Sequence, residues 1–147
     1  MSTFLKSSRG RMVDDRLVLK AKGTVATSMV GEDPIGTDKS HDAGGATRGA
    51  MVLNVYAVPN LIAGANFTMR LQGGKTSTFA SLTDLAIVEL GDAAGISSES
   101  DKGVGRYIVP FTNAFDGTVY RHLRHSITCG GTVGTGIEYE CYLTNLV

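Results

Sequence analysis

The chain has 147 residues, enough for one domain, and a folded chain of this size removes about 70% of its unfolded surface from water. With 14 basic and 14 acidic residues its formal charge is zero, so no global field draws it to nucleic acid or to an anionic membrane. Nineteen glycines against three prolines favour turns and irregular backbone and argue against a helical bundle.

The start of the chain is a local exception. Lys6, Arg9 and Arg11 accompany Ser7, Ser8 and Gly10 with no acid before Asp14. We read residues 1–16 as an N-terminal arm that orders against a partner, and 17–147 as a β-sandwich domain. The charges of the arm do not fit a signal peptide, and no stretch approaches the roughly 20 apolar residues of a membrane span.

Leu17 to Val30 alternates as a strand and breaks at Gly23, which predicts a bulge or bend there. Gly31 to Gly49 is rich in Gly, Asp, Thr and Ser, has neither helical nor strand period, and reads as a long loop, functional or disordered. Ala50 to Val58 is apolar on both faces apart from Asn54, the pattern of a central strand covered on two sides or packed at an interface. In Ala65 to Gln72, Phe67, Met69 and Leu71 take one face and Asn66, Thr68, Arg70 and Gln72 the other. Gly73 and Gly74 then read as a turn. Leu82, Leu85 and Ala86 fit a short helix, while Ile87 and Val88 favour strand, so the second half of Ser77 to Leu90 is assigned as strand.

After a second polar loop, Gly91 to Gly105, the run Arg106 to Phe111 puts Tyr107, Val109 and Phe111 on one face, with Pro110 marking an edge or the end of pairing. Thr118 to Cys129 directs Val119, Leu123 and Ile127 inward, but Arg121 and His125 fall on the same side, which predicts partial cover there. A glycine-rich link leads to Ile137 to Val147, and these last two runs are expected to pair as an antiparallel hairpin. Cys129 and Cys141, 12 positions apart, face each other only if that link sets the register; free thiols fit the reducing cytosol. The fold class predicted is all-β, a jelly-roll-like antiparallel β-sandwich of about eight strands.

Chemical motifs are weak. Gly73-Gly74-Lys75-Thr76 matches the end of a phosphate loop, but Met69 stands where its first glycine belongs and no long helix follows. Gly130 to Gly136 precedes a strand, whereas a dinucleotide fingerprint needs a helix N-terminus. His122 and His125 are three apart and point to opposite faces of one strand, so they cannot share a metal ion. His41 and Asp42 read as a solvated pair, and Glu138 and Glu140 as an exposed strand face serving solubility and edge protection. No Gly-x-Ser-x-Gly elbow supports a triad. No catalytic residue, metal site or cofactor is assigned, and the expectation is a non-enzyme.

The order of features is more informative: a Leu-Val-Leu opening strand, a polar loop, Ala50 to Val58, Ala63 to Gln72, Tyr107 to Phe111, Tyr120 to Arg124 and a glycine-rich final pair of strands. It resembles the small jelly-roll cement, or decoration, proteins of tailed bacteriophages. The resemblance implies a structural virion protein, made in the host cytoplasm and placed on the capsid exterior. It would bind the major capsid protein as a homodimer or homotrimer and clamp neighbouring subunits, with no direct contact to nucleic acid or membrane. Candidate capsid contacts are Lys6, Arg9 and Arg11 on the arm and Glu32, Asp33, Asp38 and His41 in the long loop. The competing expectation is a carbohydrate- or receptor-binding β-sandwich of a phage tail or cell surface.

Overall fold

The computed structural model describes residues 17–31, 39–58, 66–91, 104–131, 136–144 and 146. The arm assigned to residues 1–16 lies outside them. Among the described residues there is no α-helix. The strands are β1 (Val18–Val25), β2 (Met29–Val30), β3 (Ser40–Asp42), β4 (Arg48–Ala57), β5 (Asn66–Gly74), β6 (Leu82–Gly91), β7 (Gly105–Thr112), β8 (Ala114–Phe115), β9 (Thr118–Val119), β10 (His122–Gly130) and β11 (Ile137–Thr144). One sheet has the order β1-β11-β4-β7; the other has β2-β10-β5-β6, with β3 also pairing to β10. All these pairings are antiparallel.

The two sheets share one apolar core, a sandwich-like arrangement. Met51, Leu53, Ile137, Tyr139, Cys141 and Leu143 contribute from the first sheet and Phe67, Met69, Leu71, Leu90, Leu123 and Ile127 from the second. Each large apolar side chain taken fully out of water contributes about 1.5–3 kcal/mol, so this face-to-face cluster dominates the stability. Strand β5 shows the clean alternation expected of it, with Phe67, Met69 and Leu71 buried and the residues between them half-buried. Strand β4 lies between β11 and β7, as its two-sided apolar pattern predicts. Its Val52 is only 2% exposed on the face away from the core, with Tyr142 and Ile108 as cross-strand partners.

Several elements differ from the sequence reading. The run from Leu17 to Val30 is two strands: β1 ends at Val25 and β2 joins the opposite sheet. The irregularity anticipated at Gly23 is present, since the β1–β11 register shifts between Val18 and Lys20 and again between Lys20 and Gly23. Those shifts leave Lys20 buried, although strict alternation would put it on the same face as exposed Lys22. The long polar segment is not all loop. Ser40–Asp42 pairs with β10 as β3, Arg48 and Gly49 begin β4, and the Lys39 amide donates to the Gly31 carbonyl at 2.8 Å.

Gly73 and Gly74 are strand residues and not the turn. A Cβ on Gly73 would sit 2.7 Å from the Cβ of Tyr120, and one on Gly74 would sit 2.7 Å from Cδ1 of Phe79, so close packing excludes any side chain at either position. No helix forms around Leu82–Ala86. Leu71 pairs with Ala86 and Gln72 with Asp84, a bulge that carries Leu85 in addition; Ala86 is buried and Leu85 packs on the core beside it, which explains the helix-like spacing.

The predicted hairpin between the last two long strands is absent: β10 pairs with β5, and β11 with β1 and β4. Alternation alone does not distinguish strands that pair edge to edge from strands that stack face to face about 10 Å apart in two sheets. The side of β10 thought to be partly covered is closed, with His125 at 0% exposure. Arg121 precedes the strand, and Val119 is exposed because β9 pairs with β8 instead. That small hairpin turns through Asp116 (φ +54°) and Gly117 (φ +77°), the paired positive angles of a type I′ turn.

Candidate functional site

Strands β6 and β7 are the last strands of their respective sheets, and they border the same side of the sandwich. An edge strand leaves one row of backbone groups without a strand partner, which makes it a template for a second chain unless it is blocked. Pro110 blocks part of β7. Around this side, Val104 is 64% exposed and Ile108 59%, with Ile87 and Leu82 exposed on β6. An open depression of about 450 Å³ between the two strands is lined by Asp84, Leu85, Pro110, Phe111 and Thr112. Two strands that end their sheets among the described residues, an apolar-walled groove and four exposed aliphatic side chains are suited to contact with another protein surface.

The neighbouring corner is tied together by hydrogen bonds. Asn113 is 0% exposed, and its side chain accepts from the Thr47 amide at 2.7 Å and donates to the carbonyls of Gly45 (3.0 Å) and Tyr120 (3.1 Å). It therefore ties the end of the polar segment to the β8–β9 hairpin. Next to it the Arg121 guanidinium donates to both oxygens of Asp42, at 2.7 and 2.9 Å, while Asp42 also accepts from the Gly44 amide at 2.8 Å. The hydrogen bond from Arg121, with that from Gly44, holds the Asp42 carboxyl at about 2. Asp42 is thus solvent-exposed, as its sequence suggested, but ion-paired to Arg121.

The outer faces of both sheets carry polar ladders. On the first, Tyr56 and Asn54 both donate to Oε2 of Glu140, and Arg106 Nε donates to Oδ1 of Asn54 at 2.9 Å. The bond to Glu140 pushes the Tyr56 phenol up to about 12. Glu140 belongs to an interior strand, so its role is cross-strand bonding and not the edge protection suggested by its sequence. On the second sheet, Arg70 pairs with Asp84 at 3.3 Å and donates to the Thr128 hydroxyl at 2.9 Å.

One buried polar group joins the sheets. His125 Nδ1 lies 3.0 Å from the Arg70 carbonyl, which can only accept, so Nδ1 carries the proton. Nε2 then accepts from the Tyr139 hydroxyl at 2.6 Å. Burial pushes the imidazole down to about 3, and both of its nitrogens are committed, so it has no free valence for catalysis. The Lys20 ammonium sits over the Tyr139 ring, 5.1 Å from its centroid, and donates to the Ala21 carbonyl. Cys141, in the same strand as Tyr139, is buried, and its thiol is pushed up beyond the ordinary range. Cys129 and Cys141 are both free and lie in opposite sheets.

Of the residues singled out from sequence, His41 lies in β3, opposite Leu123 of β10. Lys6, Arg9, Arg11, Glu32, Asp33 and Asp38 lie outside the described residues. The polar roles of Asn113 and Tyr139 were not anticipated, although alternation puts Tyr139 on one face with Ile137, Cys141 and Leu143; the Asp-Gly pair at 116–117 was the one local signal for the hairpin that Asn113 anchors. Among the described residues no group of three His, Cys, Asp or Glu side chains could hold a metal ion, and no helix is long and apolar enough to cross a membrane. No protein-family model matches the chain, and no curated protein matches it.

Proposed function

We propose that this chain is a structural virion protein that binds the outer surface of a tailed-phage head and cements neighbouring major capsid subunits, acting as a homodimer or homotrimer. The observation that carries this reading is the β6–β7 side, where the terminal strands of both sheets, as far as the described residues go, and exposed aliphatic side chains flank a shallow groove. The jelly-roll reading of the fold belongs with it. If β2 and β3 are taken as one interrupted strand and the β8–β9 hairpin is set aside, the orders β1-β11-β4-β7 and β2/β3-β10-β5-β6 match those of two interlocked Greek keys.

Weak contacts on a symmetric shell still give firm binding, because linked copies turn weak sites into high avidity. The basic arm, with Lys6, Arg9 and Arg11, would add contacts that form on docking. The test is a binding assay on expanded heads. Saturable binding at a copy number fixed by capsid symmetry supports the reading, and failure to bind heads built from the cognate capsid protein defeats it. Replacing Ile108 with Asp is expected to weaken binding without altering the β fold, and so is deleting residues 1–15. Unchanged affinity in either case removes that surface from the proposal.

A further inference from the structure

A second concavity, of about 270 Å³, lies on the opposite sheet between the turn after β5, strand β10 and the start of β3. Lys39 and Arg124 bring two cations to its lining; Ser40, Ser77 and Thr78 bring hydroxyls and Phe79 a ring, and no acid is among the described lining residues. Arg124 is oriented in an unusual way. Its Nε donates to Oε1 of Gln72 at 3.0 Å, and its guanidinium lies 4.6 Å from the centroid of Phe79. The adjacent carboxylate, Asp84, is engaged by Arg70. The Arg124 head is therefore fixed by a neutral amide and an aromatic ring, while no carboxylate among the described residues neutralises it.

Phe79 is held at a cost. Its φ is +53°, a left-handed conformation that is unfavourable for a bulky residue, and its ring occupies the space left by the missing side chain of Gly74. The same ring meets His122 edge-on, with centroids 6.4 Å apart. Strain of this kind is retained where the surroundings fix a side chain, and here it fixes the wall against which Arg124 rests. The volume lies just below the roughly 300–1,000 Å³ of drug-sized sites, which leaves room for one small ring.

We propose that this pocket binds an acidic sugar unit, with its carboxylate on Arg124 and Lys39 and its hydroxyls on Ser40, Ser77 and Thr78. A planar guanidinium matches a carboxylate in a two-point geometry that a neutral sugar cannot use. Hydroxyls beside the cations favour a hydroxyl-bearing ring over an acidic peptide side chain, which would not use them; that of Thr78 already bonds to Thr76 at 2.9 Å and keeps one further site for a ligand. The proposal does not depend on the shell-binding reading.

The test is a two-dimensional 15N–1H NMR titration of the full chain, at physiological salt, with sodium D-glucuronate, D-glucose, sodium acetate and an acetylated tetra-aspartate peptide. Glucuronate is expected to give saturable shifts at residues 39–40, 77–79 and 124, and glucose and acetate to bind at least about tenfold more weakly, as loss of one charged or one hydroxylated set of contacts implies. Arg124→Gln and Lys39→Gln should each weaken glucuronate by about tenfold while the spectrum elsewhere stays unchanged. Should Arg124→Gln perturb the fold, Lys39→Gln carries the test. Absence of saturable shifts at these residues overturns the site. So does unchanged affinity in the variants, and equal binding of acetate or tighter binding of the peptide overturns the sugar assignment.

Discussion

The buried His125 makes the stability of this protein depend on pH in a range where few other groups titrate. In the folded chain the imidazole is neutral and its protonation is pushed from 6.5 down to about 3 by burial. In the unfolded chain it protonates near 6.5. A group whose folded value is depressed because its charged form is excluded destabilises the fold as pH falls, since only the unfolded state takes up the proton. The groups facing the ring are the Tyr139 hydroxyl, the Arg70 carbonyl and the Lys20 ammonium, and Lys20 reinforces the shift by repelling a second positive charge. Each pH unit below 6.5 costs about 1.4 kcal/mol, so moving from pH 7.5 to pH 5 removes about 2 kcal/mol. The assay is urea unfolding followed by circular dichroism at several pH values, with the midpoint shift converted through the measured slope. A His125→Gln variant should be less stable at neutral pH yet lose the pH dependence between 7.5 and 5. An equal acid loss in that variant would refute the assignment, because the proton would then be entering elsewhere.

Replacing Tyr139 with Phe should cost about 1–3 kcal/mol, since it leaves Nε2 of His125 buried without a donor; a midpoint in urea unchanged from wild type would contradict the hydrogen bond. Asn113→Ala strands the Thr47 amide and the carbonyls of Gly45 and Tyr120, and about 2–4 kcal/mol of destabilisation is expected in the same assay. Arg121→Gln, by contrast, breaks an exposed pair and should leave global stability nearly unchanged, while hydrogen exchange at the Gly44 amide rises as Asp42 is released. Cys141 should resist a thiol reagent until the protein unfolds, because it is buried and its thiol is pushed well up; Cys129, partly exposed, should react first and slowly.

Much of the sheet content was legible because apolar alternation is a direct consequence of one buried face. Phe67, Met69 and Leu71 declared their strand in this way, and the two-sided apolar run around Val52 declared a central one. Which strands pair was less legible. The inward residues of β10 and β11 show the same period whether the strands are neighbours in a sheet or face each other across the core. The bulge at Leu85 imitated helical spacing for a similarly local reason, since one extra residue brings two successive side chains to the core side. Phe79 and Arg124 carried no signal in sequence at all: their proximity depends on a turn that folds back over Gly74 and on the pairing of β10 with β5.

The location of the His125–Tyr139 bond has a further consequence. Apolar contacts between two sheets are nearly indifferent to a small slide of one over the other, because dispersion and area burial change gradually with displacement. A buried hydrogen bond is not indifferent: lengthening it by an ångström leaves two polar atoms without partners in a region that water does not reach. His125 stands on β10, Tyr139 on β11, and the Arg70 carbonyl on β5, so the three fix the offset of the second sheet against the first. The β6–β7 side is sensitive to that offset, since its groove is bounded by one strand from each sheet. Tyr139→Phe should therefore broaden the NMR signals of residues 84–85 and 110–112, far along the sheets from the substitution, and sharp wild-type signals there would show that apolar packing alone sets the alignment.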